Sequence, residues 1–132
     1  MKKSGNHRSL VSTCIFAVLV SLAGNAIAHH SAIAFDRNAP LVTVTGKVTQ
    51  FIWRSPHTSI NMEVENADGV IEIWKLEGGG TVSLVRSGIT RESIKPGQII
   101  SVTAMPLRDK GPGGLTQAIT LEDGRVIDFS ND

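Results

Sequence analysis

The sequence predicts an all-β domain with one short helix, built as an OB-like, five- to six-stranded Greek-key barrel. Short segments of alternating apolar and polar residues recur from Leu41 onward, with glycine- and proline-containing turns between them. The only clear helical segment falls between the third and fourth strands, where a helix closes one end of an OB-like barrel. One helix is too few for a βαβ scheme, so the alternative is a small open β-sandwich.

The hydrophobic pattern predicts the first three strands. Leu41 to Trp53 is a long curved strand, in which Gly46 indicates a bulge or sharp bend and Thr49-Gln50 a change of register. Thr58 to Glu65 alternates cleanly between apolar and polar residues, as a half-buried strand does. A turn with Asn, Asp and Gly then leads to its hairpin partner, Val70 to Glu77.

The second half of the chain begins with the predicted helix, Thr81 to Ser87, which Thr81 caps and Gly88 ends. Arg108 to Gly114, with a glycine-rich tip, is predicted to be a flexible loop. The remaining predicted strands are Gln98 to Met105, Leu115 to Leu121 and Arg125 to Phe129, the last two forming a hairpin.

Residues 1–28 have the pattern of a cleaved secretory signal peptide: a basic start, an apolar run from Leu10 to Leu22, and Ala26-Ile27-Ala28 as the cleavage site. We therefore expect a periplasmic or secreted protein with no membrane association after cleavage. Its parts would be an N-terminal extended segment, 29–40, and the barrel domain, 41–132. Because Cys14 leaves with the leader, the mature chain would contain no cysteine.

The charge of the mature chain bears on its partners. The full chain has 13 Lys and Arg against 12 Asp and Glu, but three of the basic residues belong to the leader. The mature chain therefore has 10 basic and 12 acidic residues, a net charge of −2. A weakly acidic exported domain does not favour nucleic acid as a partner.

Three histidines remain after cleavage, and they predict a metal site. Cleavage after Ala28 makes His29 the first residue, so that its amine and imidazole can chelate one ion. If the N-terminal segment doubles back along the first strand, His57 completes a histidine-brace-like site suited to copper or a similar divalent ion, with His30 close by. If Ala28 is retained, Ala28-His29-His30 also chelates Cu(II). The structural alternatives are a solvated histidine tail and a His57 that only caps its turn.

A second function is open from the same sequence: a metal-free module that binds a periplasmic protein, peptide or glycan. Trp53 and Trp74 each lie late in a predicted strand, and aromatic side chains on OB-like barrels stack on ligands. Glu77, beside Gly78-Gly79-Gly80, is the one carboxylate that we add to this possible ligand surface. No nucleophile motif or phosphate-binding loop is present, so the sequence assigns no catalytic residue and favours binding over turnover.

Several short motifs in the chain resemble a known family. They are Ala28-His29-His30-Ser31, Phe35-Asp36, Thr45-Gly46-Lys47-Val48, Phe51-Ile52-Trp53-Arg54-Ser55-Pro56-His57, Lys95-Pro96-Gly97 and Gly124-Arg125. Together they resemble the DUF6152 family of small exported bacterial proteins of unknown function. The resemblance implies export and a compact β domain, and it implies no established activity.

Overall fold

A computed structural model describes residues 34–129 of the chain. The predicted leader and its cleavage site, together with His29 and His30, lie outside the described residues. From Phe35 onward the chain forms one compact unit. Within residues 34–129, no helix is long and apolar enough to cross a membrane.

Six strands and one helix make up the unit. In chain order they are β1 (Val42–Ile52), β2 (Ser59–Glu65), β3 (Ile71–Glu77), α1 (Thr81–Arg86), β4 (Ile99–Pro106), β5 (Gly113–Thr120) and β6 (Val126–Asp128). The sheet order is β3-β2-β1-β4-β5-β6, and β3 also pairs with β5, which closes five strands into a mixed barrel with β6 added beside β5. The predicted OB-like barrel with one short helix is confirmed, and an open sandwich does not describe this closed sheet.

The inward-facing residues of the strands form a single core inside the barrel. Ile60, Met62 and Val64 of β2 are all buried, as the alternation of that segment predicts. So are Ile100, Val102 and Ala104 of β4. Helix α1 adds Leu84, and the loop after it adds Ile89 and Ile94. Since residues 34–129 contain no cysteine, burial of these side chains is the main source of stability of this part of the chain.

Of the two irregularities predicted in β1, the change of register at Thr49-Gln50 is confirmed, and the bulge or sharp bend at Gly46 is not observed. The pairing of β1 with β2 shifts between Val48 and Gln50, which is the predicted change of register. Gly46, in contrast, pairs regularly with Ile100 of β4. A Cβ at Gly46 would overlap the carbonyl oxygen of Glu63 and lie 2.9 Å from Val64 Cγ2. Glycine is therefore required for the close approach of β1 and β2, and not for a bulge.

The predicted flexible loop is wrong at its C-terminal end, where Gly113 and Gly114 are buried strand residues. They pair in parallel with Lys75 and Leu76 of β3, which is the pairing that closes the barrel. A Cβ at Gly113 would lie 2.8 Å from the carbonyl oxygen of Lys75, so a side chain would push the two strands apart. The glycines thus permit close backbone approach rather than flexibility.

Helix α1 begins differently from the prediction. Gly80 is its N-cap residue, and no side chain caps the helix. Thr81 lies inside the first turn, and its hydroxyl lies 3.0 Å from the Ser55 hydroxyl. The helix ends at Arg86, and Gly88 follows with φ +87°, which agrees with the predicted glycine stop.

We expect Gly46→Ala to lower the free energy of unfolding by about 1–3 kcal/mol, because the new methyl group displaces the β2 backbone. Urea unfolding followed by circular dichroism measures the change. Gly79→Ala is the matched control, since a Cβ there has its nearest contact at an ordinary 3.4 Å. Equal stability of the two variants would contradict the close-approach explanation.

Thr116 of β5 gives a second stability prediction. It is buried and lines a small internal cavity between the barrel and α1, and its Oγ1 has no hydrogen-bond partner. We expect Thr116→Val to raise the free energy of unfolding by about 1 kcal/mol, since a buried unsatisfied hydroxyl is removed at constant shape. Thr58→Val should have the opposite effect, because Thr58 Oγ1 donates to the Gly79 carbonyl at 2.9 Å. A loss of stability in Thr116→Val would show instead that the hydroxyl holds a buried water.

Candidate functional site

The turn after β1 and the segment after β3 lie side by side at one end of the barrel. Thr58 joins the two segments through its backbone. Its N–H donates to the Gly79 carbonyl at 3.1 Å, and its carbonyl accepts from Gly78 N–H at 2.9 Å. A second contact joins the same two segments: Ser55 Oγ and Thr81 Oγ1 lie 3.0 Å apart. His57 lies between these two attachment points, so its backbone position is defined on both sides.

The glycine run after β3 is what allows this contact. A Cβ at Gly78 would lie 2.7 Å from Thr58 Oγ1, and one at Gly80 would lie 3.0 Å from the Pro56 carbonyl oxygen. In the sequence, the run directly follows the predicted strand Val70 to Glu77. Its role as the surface on which the His57 turn packs depends on the register of the β2–β3 hairpin, in which Ser59 lies opposite Glu77.

His57 and Glu77 form the polar centre of the site. The distance from His57 Nδ1 to Glu77 Oε1 is 3.2 Å, and the two side chains are 50% and 29% exposed. A carboxylate this close favours a proton on Nδ1, so that the neutral ring keeps its lone pair on Nε2. Carboxylates orient metal-binding histidines in the same way. Both residues are sequence candidates, and the structure brings them together.

The hydroxyl groups around His57 already have partners. Ser55 Oγ pairs with Thr81 Oγ1, and Thr58 Oγ1 donates to the Gly79 carbonyl. A His–Glu pair activates a nucleophile only when a hydroxyl or thiol lies within hydrogen-bonding reach of the imidazole. The hydrogen bonds that these hydroxyls make in the described residues do not include the His57 ring.

The other predicted metal ligands, His29 and His30, lie outside the described residues. Within residues 34–129, no three His, Cys, Asp or Glu side chains are grouped so that they could hold a metal ion. Phe35 pairs with Leu107, and Asp36 N–H donates to the Pro106 carbonyl at 2.8 Å. This pairing is antiparallel, like that of β1 with β4. The described part of the N-terminal segment therefore precedes β1 along β4 and does not double back along β1.

The two tryptophans have different surroundings. The Trp53 ring makes an edge-to-face contact with Phe51, with centroids 5.6 Å apart, and it also lines a groove beside α1. Trp74 of β3 lies opposite Met62 of β2. Its indole N–H donates to Glu72 Oε2 at 3.3 Å. Of the two, Trp53 is the indole that lines the groove.

The fold and the site together define a class: a small OB-like β-barrel protein in which, within residues 34–129, a half-exposed imidazole lies beside a carboxylate. The model of a family described as "Family of unknown function (DUF6152)" matches residues 17–117, and the chain belongs to that family. Searches of curated proteins and of solved structures found no match to this chain.

We expect Glu77→Gln to change the tautomer of His57. In the wild type the neutral ring should carry its proton on Nδ1, because Glu77 is an anion 3.2 Å away. The amide of glutamine is neutral and attracts that proton less, so the Nε2-protonated form should increase. The ¹⁵N chemical shifts of the two ring nitrogens, measured on the neutral ring, report the ratio.

Glu63→Gln is the control for this experiment, since Glu63 pairs with Lys47 Nζ at 3.0 Å on the outer face of the barrel. It should leave the His57 tautomers unchanged. Identical ring shifts in wild type and Glu77→Gln would mean that the carboxylate does not orient His57.

Proposed function

We propose that this chain is an exported metal-binding protein whose His57 is one ligand of a Cu(II) ion or a similar divalent ion. The amine and imidazole of His29, released by cleavage after Ala28, supply the other nitrogen donors, and His30 lies close by. The observation that carries the proposal is the His57 Nδ1–Glu77 Oε1 distance of 3.2 Å, which leaves Nε2 as the donor atom on an exposed side chain.

The donor set indicates the metal. The terminal amine, the His29 imidazole and His57 Nε2 are three nitrogen donors, and without cysteine the mature chain has no thiolate. Nitrogen-rich, tetragonal sites suit Cu(II) and Ni(II), whereas structural zinc sites are tetrahedral and commonly include thiolates. Glu77 would act on the metal indirectly, through the orientation and basicity of the His57 ring.

The length of the N-terminal segment is compatible with the proposed site. Phe35 pairs with Leu107, Leu107 lies beside Gly113, and Gly113 pairs with Lys75, two residues before Glu77. Three strand spacings and two residues along β3 correspond to roughly 16 Å. The six residues from His29 to Phe35 can extend over about 20 Å. The length of the segment is thus sufficient for His29 to meet His57.

The test uses the exported protein with its terminus established by intact mass. One equivalent of Cu(II) should give a paramagnetic resonance spectrum with three nitrogen donors. His57→Ala should remove one of them and weaken Cu(II) binding by more than the roughly 10–100-fold expected for Glu77→Gln, because a ligand contributes more than the carboxylate beside it. Competition with a chelator of known affinity measures the change.

Two controls make the result specific. Arg54→Ala changes an exposed side chain of the same turn and should leave Cu(II) binding unchanged. A chain that begins at Ala28 should chelate Cu(II) through its first three residues, with an affinity that does not respond to His57→Ala. If the chain that begins at His29 is equally insensitive to His57→Ala, the terminal peptide alone binds the metal and the proposal is wrong.

A further inference from the structure

A groove with a volume of about 300 Å³ lies on the outside of the barrel, beside α1. It is lined by Trp53, Thr81, Val82, Val85 and Arg86. Its size is at the lower end of the range for small-molecule sites. The groove is distinct from the His57–Glu77 pair, although Ser55 connects the turn that carries His57 to Thr81.

The apolar part of the groove is not explained by the core. Helix α1 buries Leu84, while Val82 and Val85 are 63% and 55% exposed. In so short a helix, which is already attached to the barrel through Leu84, two exposed valines beside an indole are an unpartnered apolar surface. The side chains of Trp53, Val82 and Val85 would bury the hydrocarbon part of a ligand.

The polar part of the groove is cationic. Arg86 lies at the C-terminal end of α1, and within residues 34–129 it has no ion-pair partner. Arg54, next to Trp53 in the chain, is exposed and also has no ion-pair partner in the described part. The Thr81 hydroxyl adds a hydrogen-bonding group. An anion beside an apolar body therefore matches this surface better than a neutral or cationic ligand does.

We propose that this groove binds a small amphipathic carboxylate, with its hydrocarbon part on Trp53, Val82 and Val85 and its carboxylate paired with Arg86. Such a ligand fits both the apolar wall and the unpaired guanidinium, which a purely ionic ligand would not. The proposal is independent of the metal site. Of the three residues of the predicted ligand surface, Trp53, Trp74 and Glu77, only Trp53 lines this groove.

The test compares octanoate with octanol, which have the same chain length and differ in charge, on the metal-free protein in the presence of a chelator. Octanoate should shift the backbone amide signals of Val82 and Val85 and the indole N–H signal of Trp53 saturably, while the indole signal of Trp74 serves as the internal reference. Arg86→Gln should weaken octanoate binding about three- to fivefold, as expected for an exposed ion pair, and leave octanol binding unchanged. Val82→Ser should weaken both ligands.

Arg91→Gln, an exposed arginine that does not line the groove, is the control and should change neither affinity. Equal binding of octanoate and octanol, or an unchanged octanoate affinity in Arg86→Gln, would overturn the proposal. So would concentration-dependent shifts of the same amide signals without ligand, because the groove would then be covered by a second copy of the chain. None of these outcomes affects the metal proposal, since no metal is present.

Discussion

The parallel pairing of β3 with β5 is the constraint on which the rest of the structure depends. Without it, the other strand pairings would form an open, curved sheet with β3 at one edge. The pairing brings Lys75 and Leu76 against Gly113 and Gly114. Gly113 lets the β5 backbone approach β3, and Gly114 lets it approach Met105 of β4 on the other side. It also brings the end of β4, where Phe35 is attached, near the end of β3, where Glu77 lies. Barrel closure thus sets where the N-terminal segment attaches relative to Glu77, while the His57–Glu77 contact itself follows from the β2–β3 pairing, in which Ser59 lies opposite Glu77.

Close backbone approach through glycine recurs at the site itself. Gly78 and Gly80 give the turn after β1 a surface with no side chains, and Thr58 attaches the turn to it by hydrogen bonds. An exposed histidine on an unsupported turn would lose rotational freedom on binding a ligand. His57 is instead held by its neighbours and by Glu77, so part of that ordering already exists in the fold.

The strands and the core could be predicted from sequence because alternation is a local signal with a period of two. The change of register near Thr49-Gln50 was also predictable, since inward and outward residues exchange there. The roles of Gly46, Gly113 and the glycine run were not, because close approach depends on a partner strand distant in sequence. His57 and Glu77 were each identified as candidates, and the predicted hairpin pairs the strands that they border. The contact between their side chains depends on the conformation of the turn before β2, which only the folded chain shows.

A single imidazole with a carboxylate partner does not hold a divalent metal tightly, so the barrel alone is an incomplete site. In the proposed function the missing donors include an amine that does not exist until the leader is removed. Before cleavage that nitrogen is an amide, which is not a comparable donor, and His29 then has only its ring to offer. Metal binding would therefore begin only after export, and the precursor would not compete for metal inside the cell.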